Sequence, residues 1–197
     1  VGNPLRDDIV ALDPPQQRFA NRTGPLRLLV VGGSLGATAL NDAIPASLAT
    51  LPDSVRPITV HQAGERHIDA LRAAYARANV TAECVPFIAD MAARYAWADI
   101  VVCRGGALTV AELAAVGLGA IVVPLPGAIA DEQSANARFL QDAGAAMVVA
   151  QSDLTSANSP LAGILTGLTR ASALTMAMAA HRVGKRDAAE RVADACI

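Results

Sequence analysis

The order of the fold can be read from one stretch, Leu26-Arg27-Leu28-Leu29-Val30-Val31-Gly32-Gly33-Ser34-Leu35-Gly36-Ala37. An apolar, β-branched run passes directly into a glycine-rich turn, and a segment of helical period follows. A strand ending in such a turn ahead of a helix presents unpaired backbone N–H groups and the positive helix end to an anion, so phosphate binding is the first expectation. The spacing lacks the lysine of a P-loop and does not match G-x-G-x-x-G. It gains weight from a second segment, Cys103-Arg104-Gly105-Gly106-Ala107-Leu108-Thr109-Val110-Ala111-Glu112, which repeats the order strand, glycine turn, helix.

Outward from these two turns, short β-branched runs alternate with Ala-rich segments of helical period, the pattern of βαβ units and a parallel sheet. Strands are expected over 26–31, 56–62, 81–85, 99–103, 120–124 and 145–149. Helices are expected over 38–48, 67–78, 109–116 and 133–143, with a short one running from an Asp90 N-cap to Trp97. This is an α/β chain with a doubly wound, mainly parallel, six-stranded Rossmann-like sheet, whose ligands sit outside the carboxyl ends of the strands. Residues 1–25 carry Pro4, Pro14, Pro15 and Pro25 and no clear period, so they read as a linker or lead-in strand of a chain that starts in mid-protein. Residues 26–167 make up the binding domain. Residues 168–197 supply closing helices over 170–180 and 187–195, after a further helical run over 153–167.

Composition removes several function classes. The 197 residues are 53% hydrophobic and 17% charged, which suits one sheet buried on both faces and argues against disorder. A formal net charge of −2 and 3% aromatics give no basic stripe and no stacking platform for nucleic acid. The apolar stretch 121–130 is too short to cross a bilayer and contains Pro124, Pro126 and Gly127. The first residues have neither the basic head nor the apolar core of a secretion signal. Cys84, Cys103 and Cys196 are far apart and read as reduced thiols in a cytosolic setting. His61, His67 and His181 show no metal-ligand spacing, so no metal or other cofactor is expected. Lys185 is the only lysine.

The candidate chemistry lies after the strands. Glu112, one turn into the second helix, can accept hydrogen bonds from ribose hydroxyls, or it can be a first-turn charge worth about 0.3–1 kcal/mol to the helix. Ser34 can donate to a phosphate oxygen or satisfy the turn itself. Asp131, Glu132, Gln133 and Asn136 form a polar patch, of which Asp131 can be a helix cap and the rest solvated. By its context alone, Arg6 is a surface residue.

The runs Leu29 to Ala37 and Tyr95 to Arg104, the Ala107-Leu108-Thr109-Val110-x-Glu112 box and Gln133-x-x-Asn136-Ala137 together resemble the MurG family of peptidoglycan glycosyltransferases. The likeness spans essentially the whole chain, including Gly2-Asn3-Pro4-Leu5-Arg6, but matches only the C-terminal, donor-binding half of a two-domain GT-B fold. The resemblance implies transfer of N-acetylglucosamine from UDP-N-acetylglucosamine to an undecaprenyl-pyrophosphoryl-linked acceptor, converting lipid I to lipid II. It places Arg6 and the backbone of Ile88 at the uracil and Ser34 near the pyrophosphate. It further places Ala107, Leu108, Thr109, Val110, Ala111 and Glu112 at the phosphates and ribose, and Gln133 at the sugar hydroxyls. It also implies peripheral attachment of the full protein to the cytoplasmic side of the inner membrane, with the lipid acceptor and the general base supplied by the other half. His61 and His67 match no motif of the family. Leu35, Gly105, Gly127, Ala130 and Glu132 depart from the polar residues the family commonly carries near the diphosphate and sugar. Two alternatives stay open: another GT-B UDP-sugar enzyme such as an epimerase, or a non-catalytic nucleotide-sugar-binding module.

Overall fold

The computed structural model describes residues 2–33, 36–127, 131–154 and 159–195. Six strands, β1 (Arg27–Val31), β2 (Ile58–Gln62), β3 (Glu83–Val85), β4 (Ile100–Cys103), β5 (Gly119–Val122) and β6 (Ala146–Val148), pair in parallel in the order β3-β2-β1-β4-β5-β6. Strand order reverses between β1 and β4, so the chain leaves the sheet in opposite directions there and opens a crevice at the carboxyl ends. Each expected strand is present and each is shorter at one or both ends. At β2 the cause is Pro57, which has no N–H to give the ladder, so pairing starts at Ile58 opposite Arg27.

The sheet is buried on both faces, which is why its strands are runs of Leu, Val and Ile rather than alternating sequences. Leu28, Val30, Val102 and Ile121 point to one side and pack with Leu40, Ile44 and Leu48 of α3 (Thr38–Ala49) and Leu71 and Tyr75 of α4 (Ile68–Arg77). Leu29, Val101 and Val122 point to the other. There they meet Tyr95 of α5 (Met91–Trp97), Leu113 of α6 (Ala107–Val116) and Leu140 of α7 (Glu132–Asp142). Full burial of each such side chain is worth about 1.5–3 kcal/mol, far more than the propensity of any three- to five-residue strand, so the two core layers hold the sheet. Asp90 caps α5 as its position predicts, accepting from the Ala93 N–H at 2.8 Å. The C-terminal run divides into α8 (Gln151–Leu154), α9 (Pro160–Gly167), α10 (Arg170–Val183) and α11 (Ala188–Ala195), with α10 lying on α6 and β5.

Residues 1–25, expected as a linker or lead-in strand, instead hold two short helices, α1 (Asp7–Val10) and α2 (Pro15–Phe19), fastened to the amino end of the sheet. The prolines that suggest a linker do not oppose this, because Pro15 stands at a helix start where its missing N–H costs nothing. Two arginines do the fastening. Arg18 donates to the carbonyls of Tyr95 (3.2 Å), Val116 (2.8 Å) and Gly117 (2.5 Å), and burial lowers its pKa to about 10. Arg22 donates to the carbonyls of Ala96 and Ala98 and lies over the Phe19 ring. These carbonyls are the ends of α5 and α6, where cationic donors are favoured. Arg22 also pairs with Asp99 at 2.5 Å, and Arg170 reaches the same carboxylate at 3.2 Å. Asp99 is fully buried, accepts the Arg27 N–H at 3.0 Å as well, and so joins residues 1–25, β1 and α10 just ahead of β4.

Candidate functional site

Both glycine turns reach the crevice at the reversal of strand order, and each is held by side chains from a neighbouring element. At the first, Gln62 at the end of β2 accepts the Gly32 N–H at 3.1 Å and donates to the carbonyls of Gly33 (2.9 Å) and Pro86 (3.3 Å). Gly36 has φ +75°, and a Cβ there would stand 2.0 Å from the Ala63 carbonyl oxygen, so only glycine lets this turn close against the loop after β2. Ser34 and Leu35 lie outside the described residues.

Behind the first turn runs a buried polar chain. Asn41 donates to the Ala63 carbonyl at 3.1 Å, which leaves its side-chain oxygen to accept from His61 Nε2 at 3.1 Å. His61 Nδ1 therefore accepts from the Tyr75 hydroxyl at 2.9 Å. His61 is fully buried, and desolvation lowers its pKa to about 3. Both its nitrogens are occupied and it is neutral, which makes it a structural link with no proton-accepting site facing the crevice.

The second turn is docked on α7. Gln133 Oε1 accepts the N–H groups of Gly105 (3.2 Å) and Leu125 (2.9 Å), and Asn136 donates to the Gly105 carbonyl at 3.0 Å. Two donors on one oxygen fix the amide orientation of Gln133 and leave its NH2 group available. Gly105 has no room for a side chain, since a Cβ would meet the Gln133 carbonyl oxygen at 2.3 Å. Gly106, extended at φ −64° and ψ 140°, is the N-cap of α6 with no side-chain cap, so the N–H groups of Ala107, Leu108 and Thr109 are the orphan donors of that helix.

Two cavities meet over these turns and share Val31, Gly33 and Thr109. The larger, 590 Å³, is bounded by Gly32, Gly36, Arg104, Gln133 and Gln151 among others. The smaller, 220 Å³, is bounded by Arg6, Gln62, Ile88, Met91, Tyr95 and Glu112 among others. Burial lowers the pKa of Arg104, whose guanidinium donates to the Val123 carbonyl at 3.1 Å and to Gln151 Oε1 at 2.7 Å. In the smaller cavity, Glu112 is 8% exposed and its Oε2 accepts from the Tyr95 hydroxyl at 2.9 Å. Among the described residues Oε1 of Glu112 takes no partner, and neither does the backbone N–H or C=O of Ile88.

The structure thus brings Arg6, Ile88, Thr109 and Glu112 to one cavity and Thr109 and Gln133 to the other. Ala107, Val110 and Ala111 border neither cavity but a separate groove beside Gly2 and Asn3, Val110 being part of the core, and the Leu108 side chain is exposed. Asp131 has φ 56° and caps nothing with its side chain, pairing with Arg138 at 3.1 Å instead. Glu132 is exposed and borders neither cavity, and Ala130 lies outside the described residues. Sequence reasoning missed Gln62, Tyr95 and Gln151. Tyr95 sits five residues ahead of β4 inside a quoted motif, which marks the segment but not its contact across to α6. Among the described residues no three His, Cys, Asp or Glu side chains gather as a metal site needs.

A 3-2-1-4-5-6 parallel sheet, with two glycine turns and a buried acid at its reversal point, defines a doubly wound α/β domain of the dinucleotide-fold type, with the site at the switch point. The chain belongs to the glycosyltransferase family 28 C-terminal domain family, whose model matches residues 27–192, and its fold is that of a GT-B C-terminal domain. It is 55% identical over 200 residues to the UDP-N-acetylglucosamine--N-acetylmuramyl-(pentapeptide) pyrophosphoryl-undecaprenol N-acetylglucosamine transferase of Ralstonia nicotianae, covering 100% of this chain and 54% of that protein. The enzyme of the same name from Aromatoleum aromaticum is 56% identical over 196 residues, with the same coverage. The crystal structure of Acinetobacter baumannii MurG superposes with a TM-score of 0.87 at 41% identity, over 94% of this chain and 53% of that one. The chain therefore spans about half the length of these relatives, and the resemblance to the MurG family holds. No single helix among the described residues is long and apolar enough to cross a membrane.

Proposed function

We propose that this chain is the donor-binding half of an inverting N-acetylglucosaminyltransferase of peptidoglycan synthesis, and that it holds UDP-N-acetylglucosamine across the two joined cavities. The observation that carries this reading is the placement of Glu112 and the free amides of α6 on either side of Thr109. A carboxylate with one open oxygen suits ribose hydroxyls, and three unpaired N–H groups at a helix start suit a diphosphate. The smaller cavity takes the uridine, with Arg6 and the unpaired backbone of Ile88 at the base. The resemblance assigns Ser34, which lies outside the described residues, to the diphosphate, and the Gln133 NH2 group reads the sugar. Binding needs no other cofactor.

In the transfer, a hydroxyl of the lipid-linked acceptor attacks the anomeric carbon as its bond to UDP breaks. The leaving diphosphate gains charge where the amides are already aimed. The resemblance puts the base that takes the proton in the other half of the protein, and His61, neutral with both nitrogens engaged, does not serve as one here. The isolated chain therefore binds donor and UDP and transfers sugar negligibly. Acceptor binding and peripheral attachment to the cytoplasmic face of the inner membrane belong to the remainder of the protein. Calorimetric titration with UDP-N-acetylglucosamine, UDP-glucose and NAD tests the reading. The expected order is the acetylated donor first and NAD last, and binding of NAD without any uridine nucleotide rejects it.

A further inference from the structure

We propose that Tyr95 is a positioning residue for the nucleotide site: its hydroxyl locks the Glu112 carboxylate in the orientation that leaves Oε1 open to a ribose. This deepens the proposed function and rests on it. Tyr95 is 1% exposed, comes from α5 rather than from the helix that carries Glu112, and borders the same cavity as the acid. Its hydroxyl donates at 2.9 Å to Oε2 and to no other group among the described residues. Burial, and next the Glu112 charge, raise its pKa well above the ordinary phenol value, so it remains a donor throughout the working range.

The geometry divides the carboxylate into a held oxygen and a free one. A glutamate side chain has three rotatable bonds, and each conformer that does not face the ligand dilutes its affinity. Arg6 borders the same cavity, and its positive charge attracts a carboxylate that nothing else holds. The phenol removes both alternatives before the nucleotide arrives. Tyr95 is itself fixed at its other end, where its carbonyl accepts from the half-buried Arg18 at 3.2 Å.

The test compares UDP with 2′,3′-dideoxy-UDP on Tyr95→Phe and Glu112→Gln by calorimetry, with thermal melts to show that both variants fold. Hydrogen bonds to charged groups are worth about 1.5–3 kcal/mol, so Tyr95→Phe is expected to weaken UDP about tenfold or more while dideoxy-UDP stays within twofold. In the Glu112→Gln background the same change should have a much smaller effect on UDP. A Tyr95→Phe variant that weakens both nucleotides alike, or neither, overturns the proposal, provided Glu112→Gln still abolishes the preference for UDP. If Glu112→Gln leaves that preference intact, the ribose contact itself fails, and the underlying functional reading fails with it.

Discussion

The two ends of the sheet are built on opposite rules. At the amino end the strong polar groups are spent inside the molecule, with Arg170 Nε the one buried side-chain nitrogen left without a partner among the described residues: Asp99 accepts from Arg22, Arg170 and the Arg27 N–H, and Arg18 fills three carbonyls at helix ends. At the carboxyl end groups are held in place yet left partly unused: one oxygen of Glu112, the NH2 group of Gln133, the first amides of α6 and the backbone of Ile88. The amino end fixes the fold, and the carboxyl end keeps its bonding capacity for something else. Stability and binding should therefore respond to different substitutions.

The largest expected effect comes from Asp99→Ala, which strands the buried Arg22 and should cost about 3–5 kcal/mol in urea unfolding. The fraction that remains folded should bind UDP within twofold of the unchanged chain. A tenfold loss of affinity without a shift in the urea midpoint would break the comparison. His61 gives the next effect. Its folded pKa, about 3, lies below the ordinary 6.5, so its share of stability is complete above pH 6.5 and is lost as the pH falls from there toward 3. The slope is about 1.4 kcal/mol per pH unit in that window. His61→Gln should flatten it, as read from urea midpoints at pH 6.5 and 5.

At the carboxyl end the balance shifts toward binding. Glu112→Ala should weaken UDP about tenfold or more while inorganic pyrophosphate loses less than twofold, and should cost about 1–3 kcal/mol in urea, since the buried Tyr95 hydroxyl loses its acceptor. Gln133→Ala should show the smallest change. It removes the acceptor for two N–H groups, costing about 1 kcal/mol in stability, and should reduce the preference for UDP-N-acetylglucosamine over UDP. Equal losses for the two ligands would place Gln133 in scaffolding alone.

The sheet was legible because its signal is local. Runs such as Leu28-Leu29-Val30-Val31 and Ile100-Val101-Val102-Cys103, each ending at glycines, are readable without knowing their neighbours. The helices of residues 1–25 were hidden because they are four and five residues long, shorter than the span over which helical periodicity can be counted. The candidate site was half legible. Glu112 and Gln133 stand in recognisable surroundings, whereas Gln62 and Tyr95 act through partners about 30 and 17 residues away, a pairing created by topology. Nothing in the spacing around His61 distinguishes a buried link from a base, and only its partners do.

Gly105 acts as a gauge for the gap between two walls of the larger cavity. The first turn of α7 stands where it does because residue 105 ends at its α-carbon, and even one methyl group there would push the Gln133 carbonyl, and the helix start with it, away. Any version of this domain with a side chain at that position must therefore carry its α7 farther out, and the Gln133 amide moves with it. One position in this way sets the width of the larger cavity between the second turn and α7.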